Sequence, residues 1–191
     1  MNIRTPECES HLREQLIQAG IEMLRSGGAQ NLSFRRAAAL CGVAPSAPYR
    51  HFKTKQDFLY TLDIRLYQFF LNNLKDIYSA FEDPDARLIN ISLSCIKFLK
   101  DFPRYYGLFS SPKDAKSASF FDQRNRIIDF LADVTYVCFQ HREIPKSHWK
   151  LEGYRLWSTI LGLSQLVNTK GLPLDETILS AILSRQLETL A

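Results

Sequence analysis

Between Met23 and Gln56 the chain contains Arg25, Arg35, Arg36, Arg50, Lys53 and Lys55, and no Asp or Glu. Cations without carboxylate neighbours, interleaved with Ser33, Ser46, Tyr49 and His51, are the chemistry of phosphate recognition. Guanidinium and ammonium groups neutralise phosphates, while hydroxyl and imidazole groups hydrogen-bond their oxygens. The formal net charge of +4 lies entirely at this end: residues 1–55 hold 8 Lys/Arg against 4 Asp/Glu, whereas residues 56–191 hold 16 of each.

Other chemistries find little support. Cys8, Cys41, Cys95 and Cys138 are too far apart for a zinc ribbon or a Cys-x-x-Cys redox pair, and are read as reduced thiols. His11, His51, His141 and His148 never fall at the spacing that sets two metal ligands on one helix face, so no metal site and no cofactor is expected. No Ser/His/Asp or Cys/His set, glycine-rich phosphate loop or carboxylate pair suggests an enzyme. No run approaches eighteen apolar residues, and the polar N-terminus lacks the apolar stretch of a signal peptide, which predicts a cytoplasmic protein.

Helices must position the basic residues. Ile17, Gly20, Ile21 and Leu24 recur at helical spacing, predicting a helix over Leu12 to Arg25 that stops at Gly27-Gly28. Gly20 in its middle implies a close neighbour, since it otherwise costs about 1 kcal/mol relative to Ala. Ser33 is read as the N-cap of a short helix through Cys41, ended by Gly42. A third short helix must begin near Ala44 to Ser46, because Pro45 and Pro48 are tolerated only in a first turn, and end around His51. Thr54 to Asp57 reads as a capping box opening a fourth helix toward Phe81. Prolines at 84, 103, 112, 145 and 173 then divide the chain into further helices: Asp85 to Phe102, Pro103 to Ser110, Lys116 to His141, Ser147 to Thr169 and Leu174 to Leu190. Alternating strand patterns are scarce, so the expected fold class is all-α.

Two short helices about Gly42-Val43 form a helix-turn-helix pattern, in which the second helix enters the DNA major groove. On that geometry Ser46 and Ala47 face base edges, Tyr49, His51 and Lys55 lie where phosphates run, and Arg35 reaches a phosphate or a guanine edge. Ser33 and Arg50 complete the predicted DNA-facing set. A helical corner with a solvated basic face would satisfy the same spacing.

Gly42-Val43, the proline-bounded helix, Tyr49-Arg50-His51-Phe52 and Lys55, preceded by the Ile17 to Leu24 helix, resemble the N-terminal domain of the tetracycline-repressor (TetR) family of bacterial transcriptional regulators. The resemblance covers residues 9–69 and leaves 70–191 as a C-terminal effector-binding and dimerisation domain. It implies a homodimer on a palindromic operator of double-stranded DNA, usually a repressor released by a small-molecule effector. It also implies backbone contacts from Tyr49, His51 and Lys55. Ala44 stands where the family has Ser or Thr, Pro48 where it is commonly aliphatic, and Arg36 where an acid is common. Trp157-Ser-Thr-Ile-Leu-Gly162 resembles the Trp-x-x-x-His-Gly signature of one group of its C-terminal domains, with Leu161 in place of His.

The family places its effector cavity among helices corresponding to Asp85 through Thr169. The aromatic residues there suggest an apolar pocket near Phe98, Phe102, Tyr106, Phe109, Phe121 and Trp157, for an apolar or aromatic effector. Stripes of Leu156, Ile160, Leu163 and Val167, and of Ile178, Ile182 and Leu183, are apolar at helical spacing. Burial inside a monomer accounts for such stripes as well as a subunit contact does. The resemblance implies a four-helix dimer interface formed by them.

Overall fold

The structure is a computed structural model that describes residues 6–106 and 118–189, with side chains from Glu9 onward and, in the helix that begins at Ala118, from Arg124. Seven α-helices and no strand occur among the described residues: α1 (Pro6–Gly27), α2 (Phe34–Leu40), α3 (Lys55–Ala80), α4 (Pro84–Asp101), α5 (Ala118–His141), α6 (Trp149–Asn168) and α7 (Glu176–Glu188). Single 3-10 turns cover Ala29–Asn31, Ala47–Arg50 and Pro103–Tyr106. The chain divides into two compact units, Met1–Gln68 and Phe69–Ala191, with the boundary inside α3.

Local signals in the sequence set most helix ends. Pro6 occupies the first position of α1, where its missing N–H is no loss. Gly28 takes the left-handed backbone, φ 71°, that ends the run. Thr54 Oγ1 accepts from the Asp57 amide at 3.0 Å, and Asp57 Oδ2 accepts in return from the Lys53 amide at 3.0 Å, one residue earlier than a capping box would have it. Asp83 and Asp175 cap α4 and α7 with their carboxylates.

In the N-terminal unit, Leu16, Ile17 and Leu24 of α1 meet Phe34, Ala37 and Ala38 of α2 and Phe58 and Leu62 of α3 in one core. Gly20 is the point of closest approach. A methyl placed there would stand 2.7 Å from both Leu62 Cδ1 and Phe58 Cζ.

In the C-terminal unit α4 is the hub and packs against α5, α6 and α7. Leu88, Ile91, Leu93, Cys95, Ile96, Phe98 and Leu99 are all buried, a wider face than one groove needs. Its buried Ser92 hydroxyl donates to the Leu88 carbonyl at 2.6 Å, as Thr135 and Ser164 do one turn back in α5 and α6, so none of these three hydroxyls is desolvated without a partner. Three helix ends meet at Arg142. Its Nε and Nη2 donate to the two oxygens of Asp85 at 2.9 and 2.6 Å, and its Nη1 donates to the Leu187 carbonyl at 2.8 Å. Cys138 Sγ donates to the same carboxylate at 3.2 Å; burial first, and then that carboxylate, push the thiol up to about 12, so it stays protonated.

Gly20→Ala should lower stability in thermal or urea unfolding by about 1–3 kcal/mol despite its better helix propensity, because the methyl overpacks a filled contact. For Asp85, partial burial raises the carboxyl pKa, but the hydrogen bonds from Arg142 and Cys138 and the Arg142 charge outweigh it, leaving a net value below the ordinary 3.8. A carboxylate depressed on folding contributes fully above its unfolded pKa and is lost as pH falls through the folded one. Asp85→Asn should therefore flatten the fall in stability between about pH 5 and pH 2 relative to the parent chain.

Candidate functional site

The basic segment is built around a tight corner. Ser33 holds extended backbone and its Oγ accepts from the Arg36 amide at 3.5 Å, opening α2. At the other end the Cys41, Gly42 and Val43 amides donate to the carbonyls of Ala37, Ala39 and Ala38, and Gly42 adopts φ 66°. This closure is a glycine-terminated helix end with the chain turned sharply away from α2.

The following segment differs from the α-helix predicted for it. Only Ala47–Arg50 winds, as a 3-10 turn with Pro48 near its start. Pro45 and Pro48 remove two amides within four residues, which leaves too few donors for an α-helical ladder. Ala47 is only 5% exposed and Pro48 is buried beside it. Ala47 therefore docks the turn onto the core instead of facing outward as expected; the outward positions are Ser46, Tyr49 and Arg50.

Tyr49 is 63% exposed, yet its ring is braced edge-on against Phe34, with centroids 4.8 Å apart. Phe34 in turn lies 5.5 Å from Phe58, and Phe52 lies 4.6 Å from Phe58, so a three-phenylalanine cluster sits beneath the tyrosine. Edge-to-face aromatic contacts favour one ring orientation. Arg35, Arg50 and Lys55 are exposed, His51 is half-buried and Ser33 is half-buried at its cap. Arg36 and Lys53, which the helix-turn-helix geometry does not single out, are exposed in the same acid-free stretch. That stretch was the only sign of them in the sequence. Among the described residues none of these five cations makes an ion pair, and Asp57, the nearest acid in sequence, is occupied in capping.

The aromatic set expected to line an effector pocket is not brought together. Phe98 stacks on Phe70 at 4.1 Å and contacts Phe102 and Tyr105 at 5.4 and 5.6 Å, so Phe98 and Phe102 fill the core of the C-terminal unit. Their rings close the space they were expected to enclose. Tyr106 Oη accepts from Asn168 Nδ2 at 2.9 Å, which pins the end of its turn to α6. Phe109 lies outside the described residues, as does the side chain of Phe121. Trp157 borders a separate cavity of about 270 Å³ between α5 and α6.

The predicted interface stripes are also corrected in part. Leu156, Ile160, Leu163, Val167 and Leu183 are 6% exposed or less. They face α4 within their own unit, which uses that side of α6 and α7 for its core. Ile178 and Ile182 instead border a shallow groove along α6 and α7, with Leu151, Tyr154 and Ala181.

An exposed, acid-free helix-turn-helix face is the recognition surface of a DNA-binding transcriptional regulator. Residues 16–60 match the family model described as bacterial regulatory proteins, tetR family. Solved structures resemble the fold over nearly the whole chain. A protein of unknown function from Rhodococcus sp. RHA1 has a TM-score of 0.75 and 19% identity, over 94% of this chain and 95% of that one. The regulator FadR from Bacillus subtilis, in complex with stearoyl-CoA, has a TM-score of 0.67 and 17% identity over 93% and 98%. A TetR transcription regulator from Haloarcula marismortui has a TM-score of 0.69 and 18% identity over 95% and 98%. Comparison with curated proteins finds no match. The match to that family model is confined to the N-terminal segment, and these neighbours share the fold of the chain.

Tyr49→Phe combined with Lys55→Ala should weaken binding to every duplex sequence and reduce the slope of log affinity against log salt by about 1, as loss of one phosphate contact does. Fluorescence anisotropy across a salt series measures it; unchanged affinity together with an unchanged slope removes both side chains from the phosphate path.

Proposed function

We propose that the chain acts in the cytoplasm, not as an enzyme but as a homodimeric repressor that binds a palindromic operator and is released when a small molecule occupies its C-terminal unit. The observation that carries the DNA-binding part is the exposed run of Arg35, Arg36, Tyr49, Arg50, Lys53 and Lys55 around a turn locked by Ala47 and Pro48. The stearoyl-CoA complex of the similar Bacillus subtilis regulator supports release by a ligand. The Trp157 to Gly162 segment supports, by its resemblance, placement with the Trp-x-x-x-His-Gly group, with an apolar Leu161 in place of the imidazole.

The second copy docks on the outward side of α6 and α7. Leu151, Tyr154, Leu166 and Ile178 are exposed there at 60, 65, 48 and 42%, which is apolar surface that a monomer leaves in water. Two copies related by a twofold axis present their turns to half-sites about one helical turn apart. Release requires that the effector bind the DNA-competent arrangement less well than the alternative, since equal affinity shifts nothing.

Selection of duplexes from a random pool at physiological salt tests this reading. A consensus with twofold symmetry is expected; binding that is sequence-independent and fades smoothly with salt indicates an architectural DNA binder instead. Tyr154→Glu with Ile178→Glu should give a folded monomer by light scattering and lower affinity for the selected palindrome by more than tenfold, roughly the loss of one half-site. A dimeric mass for that variant moves the interface elsewhere.

A further inference from the structure

The cavity between α5 and α6 has the makings of a ligand site. Ile128, Leu131 and Ala132 line it from α5, and Trp157 and Leu161 from α6, with Tyr154 and Ser158 at the α6 side. Each helix thus offers residues three and four apart, one stripe facing another. The space exists because Ala132 is small where larger side chains surround it. None of the seven lining residues carries a charge, and the polar groups are the Tyr154 and Ser158 hydroxyls and the Trp157 indole N–H.

We propose that this cavity binds a compact, uncharged ring compound bearing one hydrogen-bonding group, and that this compound is the effector. The proposal rests on the ligand-released reading above and names the class of ligand. At about 270 Å³ the cavity lies just below the range, roughly 300 to 1,000 Å³, that encloses drug-sized molecules. One or two rings fit such a volume. A long acyl chain does not, and the lining holds no cation for the phosphates of an acyl-CoA, the ligand class of the Bacillus subtilis neighbour. The Trp157 and Tyr154 rings supply stacking surface, and Ser158, exposed at the rim, presents its hydroxyl to the polar group of the ligand. Tyr154 and Ser158 also border the α6/α7 groove, so an occupant touches two residues of the surface assigned to the second copy.

Calorimetric titration of the full chain with indole, 1-naphthol and 4-phenylphenol tests it, alongside stearoyl-CoA. At least one of the three ring compounds should saturate below about 1 mM, a weak but measurable affinity. Ala132→Phe, which fills the cavity, should weaken that binding by roughly tenfold or more with helicity retained. If Ala132→Phe does not fold, Leu161→Phe serves the same purpose, and Ser158→Ala should cost several-fold through the lost hydrogen bond. Saturation by none of the three, or equal binding to the filled variants, overturns the cavity as their site. DNA release from the selected palindrome is read separately. Binding at the cavity without release overturns the effector role, while release by stearoyl-CoA without ring-compound binding leaves the ligand-responsive reading standing and removes this cavity from it.

Discussion

The absence of a side chain at Gly20 governs the N-terminal unit. It lets α3 approach α1 until Phe58 Cζ and Leu62 Cδ1 occupy the space a methyl would need. Phe58 then carries Phe34 and Phe52 against it, and Phe34 carries the ring of Tyr49. An outward-facing residue of the basic segment is thus oriented by a run of ring contacts that begins at a backbone with nothing attached. Interiors packed at this density move by discrete rearrangement rather than by gradual yielding, which suits a surface that must match a fixed phosphate spacing.

The C-terminal unit solves a different problem. Its hub helix α4 is buried on most sides, and its tightest aromatic packing, Phe70 on Phe98, is solid core. Asp85 and Arg142 draw together the start of α4, the end of α5 and the last turn of α7. Away from that knot, small and medium side chains on α5 and α6 leave room between the helices. Among the described residues rigidity and vacancy are therefore segregated within one unit, and the second offers a foreign molecule a place without dismantling the first.

Features decided by neighbouring residues were legible in the sequence. Ser33, Gly42 and the Thr54 to Asp57 exchange all act within four residues, and the structure places each where its local chemistry requires. The all-α class and most helix limits followed from the prolines and the 3.6-residue period for the same reason. Features decided by partners distant in sequence were not legible. Ala47 looked like a base reader because its position in the motif says nothing of which way a proline-shortened turn will dock. The stripe of Leu156, Ile160, Leu163 and Val167 was assigned by resemblance to a subunit contact, but periodicity identifies an apolar face without naming what covers it, and α4 does so here. Aromatic richness likewise did not separate Phe98 and Phe102, which pack in the core, from Trp157, which borders a cavity, because a ring that fills space and a ring that lines it have the same sequence signature. The cavity depends on Ala132 meeting Trp157 across two helices, a pairing that no single segment encodes.

The brevity of the turn Ala47–Arg50 has a consequence in information. With Ala47 and Pro48 turned inward, Ser46, Tyr49 and Arg50 are what the turn displays, with Arg35 from α2 nearby. A side chain that reads a base edge distinguishes about one base pair. Against on the order of 10⁶ competing sites, a unique address needs about ten specified pairs, since four letters taken ten at a time give about that many words. One turn of this length spells only part of such a word. Repeating it across a twofold axis lengthens the word without adding a residue to the alphabet that reads it.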